Sequence, residues 1–228
     1  MTTERMSTQQ TSSRLQTVIA NLPNRRDRST WTELPNGPHP TDSTEMVPEV
    51  LAETMAKLHA AGYKLYLTDT HTFTVRPPGK APEERIERHY QIVDPAGNVV
   101  PYDNRTDYPH GEGGILSMIY DVIGPVVGAP ATVIMFSDRH AATVSKVLFT
   151  KDGRVKGVEV QQDRAERIDT NGMSESQDYR FERDPEGQTY DARRVERNGR
   201  IYWIKGTIKD RNYSIGLGAR SEYYDFSF

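Results

Sequence analysis

The chain has 228 residues, 35% of them hydrophobic, with 17 glycines, 14 prolines and a mean hydropathy of −0.73. That suffices for one core with many turns and argues against a compact all-helical enzyme. Twenty-nine Lys and Arg face 32 Asp and Glu, and there is no cysteine, which speaks against a broad grip on nucleic acid and excludes disulfides, thiolate metal sites and a thiol nucleophile.

The first residues do not enter the apolar run of a signal peptide. No stretch approaches the roughly 20 apolar residues of a membrane helix. The expected compartment is the cytoplasm, or a particle assembled there, with no membrane association.

Residues 1–45 are polar and rich in Thr, Ser, Gln and Asn. Leu15, Val18, Ile19 and Leu22 recur at helical spacing before Pro23, and four prolines between Pro35 and Pro48 mark an extended linker. The segment reads either as a disordered tail or as an arm that orders on a partner, with Leu15, Ile19 and Trp31 as its anchors. Residues 46–228 read as one domain.

Val47 to Ala61 is the clearest helix. Val50, Leu51, Met55 and Leu58 share a face, Thr44 or Ser43 is placed to cap the start, Pro48 suits the first turn, and Gly62 ends it. Residues 63–67 and 71–75 alternate like strands around Thr68-Asp69-Thr70, which predicts a hairpin there, ending at Pro77-Pro78-Gly79. His89 to Val93, a Pro95–Asn98 turn and Val99-Val100 extend an antiparallel meander.

Ile115 to Ile123 is apolar enough for a short buried helix, and Ala131 to Phe136 is the most apolar strand. Val144–Phe149 and Val155–Val160 flank Asp152-Gly153, a strong hairpin signal. The charged stretch 161–187 reads as a long loop. Tyr190–Glu196 and Ile201–Ile204 flank Asn198-Gly199, a second hairpin signal. Tyr224, Phe226 and Phe228 alternate, as on one face of a terminal strand suited to closing a core or docking on another subunit.

The fold expected is therefore α+β, with a mainly antiparallel sheet, one principal helix and a polar N-terminal arm.

Three functional readings compete. A non-catalytic assembly or partner-binding protein, such as a component of a bacteriophage particle, rests on the arm and the aromatic C-terminus, with a protein partner or a second copy as binding partner. A metal-assisted hydrolase would use Asp138, His140 and His110 as catalytic groups, and His71, His89 and Asp69 to hold a divalent metal, since imidazole and carboxylate suit both tasks. No diagnostic spacing such as His-Glu-x-x-His occurs, so no cofactor is expected beyond that metal. A nucleic-acid reading rests on Arg193, Arg194, Arg197 and Arg200 beside Tyr190, Tyr202 and Trp203, against nearby Asp191 and Glu196. The assembly reading leads because no catalytic signature is present.

Overall fold

The computed structural model describes residues 28–38, 47–76, 81–100, 113–170, 172, 177–197, 200–207, 209 and 211–225. Leu15, Ile19, Thr44, Ser43, His110, the Asn198-Gly199 turn, Phe226 and Phe228 lie outside them. The architecture is α+β and dominantly antiparallel. A six-stranded barrel, a three-stranded sheet and two helices share one apolar core.

After a short 3-10 turn at Arg28–Thr30 and β1 (Thr32–Glu33), helix α1 spans Pro48–Ala60. Val47 is its extended N-cap and contributes no side-chain cap. The proline takes a first-turn position where its missing N–H is no loss. Thr54, Met55 and Leu58 are buried. Gly62 stops the helix at φ 81°, its N–H donating to the His59 carbonyl at 2.8 Å.

The Thr68-Asp69-Thr70 segment is not a turn. It lies within one continuous strand, β2 (Lys64–Val75), which pairs antiparallel with β3 (Glu83–Val93). Thr68 is an extra residue in the ladder, a bulge whose hydroxyl donates to the His89 carbonyl at 3.1 Å. Asp69 accepts from the Thr70 N–H at 2.8 Å. Threonine's β-branching keeps the backbone extended where Asp alone suggested a reversal.

Helix α2 (Gly113–Ile123) buries Ile115, Leu116, Met118, Ile119 and Tyr120 and joins α1 as a second helix. The Tyr120 hydroxyl lies 3.4 Å from the Thr54 hydroxyl. Burial pushes that phenol up to about 12, so it stays neutral.

The barrel is formed by β4 (Pro130–Ile134), β5 (Arg139–Phe149), β6 (Val155–Gln162), β9 (Thr189–Arg197), β10 (Arg200–Gly206) and β11 (Arg211–Leu217). Each pairs antiparallel with the next, and β11 closes on β4. The hairpin expected at Asp152-Gly153 joins β5 to β6, with Gly153 at φ 83°. Opposed residues share a face: Ala131 with Ala142 and Leu217, Val144 with Val160, Val158 with Ala192, and Trp203 with Ile215. All are buried and fill the interior.

The charged stretch 161–187 is not simply a loop. It contains a small hairpin, β7 (Arg164–Arg167) with β8 (Tyr179–Glu182), in which Arg164 opposes Glu182 and Glu166 opposes Arg180. Cross-strand charge pairing builds this element where there is little apolar material. Among the described residues, 219–225 are not a barrel strand. Tyr223 makes a single bridge with Arg139, and the segment from Ala219 lies along the start of β5.

Candidate functional site

His140 opposes Val133 in the β4–β5 ladder, so it shares a face with Ala142 and Val144 and stands at one end of the barrel interior. Its Nδ1 lies 3.0 Å from Glu222 Oε1, and the Ala141 N–H donates to Glu222 Oε2 at 2.7 Å. Both carboxylate oxygens are thus occupied, in a side chain only 1% exposed. The Tyr224 ring meets the imidazole edge-on at 5.7 Å.

The hydrogen bond to Glu222 raises the His140 pKa above the ordinary imidazole value. Burial opposes this, and the charges of Glu222 and Asp138 assist. Partial burial and then the same carboxylate push the Tyr224 hydroxyl up to about 12. Among the described residues no protein group hydrogen-bonds His140 Nε2. Chemically the pair is an imidazole oriented by a carboxylate, the form taken by a base and its positioning group.

A second buried carboxylate stands beside it. Asp163 accepts from the Thr143 hydroxyl at 2.6 Å and from Arg220 Nε at 2.7 Å, and Arg220 Nη2 donates to the Thr143 hydroxyl at 2.9 Å. Arg183 lies 3.7 Å from its other oxygen. Gln177 holds Tyr224 through both amide atoms, donating to its carbonyl at 3.0 Å and accepting from its N–H at 3.3 Å. Asp138, at the β4–β5 turn, accepts from the Ser137 hydroxyl at 3.5 Å and from the Asp225 N–H at 3.2 Å. Together these contacts fasten residues 219–225 to the barrel. Asp138 and His140 do come to one corner, but Glu222, Asp163, Arg220 and Thr143 were not singled out from the sequence. A lone acid among aromatics and an acid in a charged run carry no spacing signal.

Asp69, His71 and His89 also gather, on one face of the β2–β3 hairpin. Asp69 opposes His89 in the ladder and pairs with His71 Nε2 at 3.0 Å, while the two imidazoles meet edge-on at 5.0 Å between centroids. Among the described residues no group of three or more His, Asp or Glu side chains is placed to hold a metal ion. This trio belongs to the small sheet, whereas Asp138 and His140 belong to the barrel corner. The Arg hairpin is charge-matched within itself: Arg193 donates to the Gly206 carbonyl at 2.7 Å, Arg194 pairs with Glu196 at 3.3 Å, and Lys205 with Asp191 at 2.6 Å.

Trp31 packs on Tyr66 of β2 at 5.9 Å, with the Arg28 guanidinium over its ring at 5.4 Å. Lys64 and Tyr66 both donate to Glu33. The chain leading out of the first 27 residues is thereby held on the small sheet. Further along, β2 and β3 leave the core. Leu65, Tyr90, Ile92 and Val93 are buried at the root, but Thr70 to Thr74 are all exposed, with Phe73 at 45% and Ile86 at 53%. Comparisons with protein-family models, curated proteins and solved structures find no match for this chain. No helix of the described residues is long and apolar enough to cross a membrane.

Proposed function

We propose that the protein is a non-catalytic assembly component whose β2–β3 hairpin is the arm that engages a partner, as in a bacteriophage particle. The observation that carries this reading is the exposure, among the described residues, of Thr70 to Thr74, Glu84 and Ile86 in the hairpin's outer half. A two-stranded ribbon without a third strand or a packed face is marginally stable in water. Here it carries β-branched and aromatic residues, Thr70, Thr72, Phe73, Thr74 and Ile86, with nothing of the described core against them. Binding supplies the missing surface. Phe136, 98% exposed at the β4–β5 turn, is a further anchor of the kind that dominates interfaces.

The barrel corner fits the same reading. Glu222 through both carboxylate oxygens and Asp163 through its Oδ2 tie the C-terminal segment to the barrel, which makes His140 part of a clasp. Deletion of residues 1–27, which spares β1 and the Trp31–Tyr66 contact, is expected to weaken assembly while the domain stays folded.

The test is a photo-crosslinking residue at Phe73 in the full chain, made in its native host. A discrete adduct is expected, and it disappears when the crosslinker is moved to buried Leu65. The absence of any adduct at Phe73 would contradict the reading.

A further inference from the structure

β5 runs on past the end of β6. Ala142 opposes Gln162, the last residue of β6, and beyond it the Asp163 N–H donates to the Ala141 carbonyl at 2.9 Å. Further out, the C-terminal segment meets the backbone of β5. Arg139 and Tyr223 exchange two backbone hydrogen bonds at 3.0 Å, and the Ala141 N–H donates to the Glu222 carboxylate. The segment thus stands in for a strand along the first residues of β5.

Two anchors hold it, and they differ in kind. At the root, the Gly218 N–H donates to the Pro130 carbonyl and the Thr132 hydroxyl to the Ala219 carbonyl, both at 2.9 Å. Arg220 pairs there with Asp163, and a guanidinium keeps its charge at any ordinary pH. Beyond Ser221 the buried anchor is Glu222 against His140, side chains 1% and 13% exposed. With the imidazole protonated, the pair is neutral as a whole. With it unprotonated, Nδ1–H still donates, but a carboxylate charge stands uncompensated in the barrel corner, a state that burial penalises. Opening the segment returns that charge to water. The other described contacts of 223–225 with β5, Gln177 and Asp138 are hydrogen bonds to backbone, which water replaces.

Asp138 from the β4–β5 turn and Tyr224 of the segment face the pair, and the Glu222 charge also reaches Tyr179 of β8 and Tyr190 of β9. Arg167 and Asp169, paired with each other, act on Tyr179, and the Arg139 guanidinium lies 6.0 Å from the Tyr223 ring centre. Carboxyl, phenol and guanidinium groups ordinarily titrate outside the range from about pH 6 to about pH 9. Burial drives the phenols of Tyr179, Tyr190 and Tyr224 further up. The imidazole is the group of this set that changes charge within the range.

We propose that residues 221–225 are a pH-operated latch: protonated His140 holds them along β5, and its deprotonation lets them swing out from the root at Arg220 while the barrel stays closed. Opening frees both backbone groups of Arg139 and the Ala141 N–H. The latch operates whether or not the β2–β3 hairpin has a partner.

Amide hydrogen exchange of the full chain, resolved by residue with NMR and divided by the intrinsic rate at each pH, tests this. Protection of the Ala141 and Tyr223 amides should fall at least about tenfold from about pH 6 to about pH 9. At every pH it should lie below that of Val144, whose N–H donates to the Ala129 carbonyl in the barrel wall. Glu222→Gln removes the charge that needs compensation, so the fall with pH should vanish. His140→Gln leaves that charge uncompensated throughout and should show the alkaline, weakly protected pattern already at about pH 6. Ala141 and Tyr223 amides indifferent to pH overturn the latch. So does protection equal to that of Val144, which means exchange by global unfolding alone, or a Glu222→Gln chain that keeps the unaltered profile. Should His140→Gln fail to fold, the other two profiles decide.

Discussion

His140 holds its proton more firmly in the folded chain than a free imidazole does, because Glu222 accepts its Nδ1–H inside the barrel corner. A group whose pKa is raised by folding stabilises the fold fully below its unfolded value, 6.5 here, and that stabilisation is lost as pH rises through the folded value. The melting temperature is therefore expected to fall as pH increases from 6 towards 8. His140→Gln should flatten this slope, because the titrating group is gone. A variant retaining the full slope would show that another group sets it. Glu222 itself could not have been read from the sequence as His140's partner. The two are far apart in the chain, and only the return of the C-terminal segment along β5 joins them.

At the scale of elements, Gly157 shows how closely β6 and β9 approach. It is not at a positive φ, yet a Cβ there would stand 2.6 Å from the Ala192 carbonyl oxygen, a backbone atom that cannot swing aside. Gly157→Ala should destabilise the chain by about 1–3 kcal/mol, the range for overpacking, read as a lower urea midpoint with unchanged slope. An unchanged midpoint would mean that the strands separate freely at this point.

Local chemistry made several elements legible. Pro48 and Gly62 bracket α1, apolar residues mark α2, and Asp152-Gly153 supplies the left-handed turn between β5 and β6. The Thr68 segment misled because Asp between threonines resembles a turn, whereas a bulge accommodates it within a strand. The β7–β8 hairpin escaped because its apolar alternation is confined to Tyr179 and Phe181 on one four-residue strand, amid opposed charges. β11 escaped because Ile215 and Leu217 are separated by glycine and preceded by a charged run.

For the whole molecule, the α+β class was legible from alternating strands and two apolar helical stretches, but closure of six strands into a barrel was not. Closure depends on β11 meeting β4, a contact between residues 80 to 86 positions apart, and hydrophobic pattern carries no record of it. The candidate arm was legible only in part: the alternation of 63–75 and 89–93 was evident, while the projection of the outer hairpin beyond the core emerges only from packing.

That division between a rooted and an unrooted half is the basis of the functional reading, and hydrogen exchange along residues 64–93 measures it. In dilute protein, amides near Leu65, Tyr90 and Ile92 should exchange with the slow core, while those paired between Thr70–Val75 and Glu83–Arg88 exchange fast. An outer half as slow as the root would contradict an arm that is completed only by its partner.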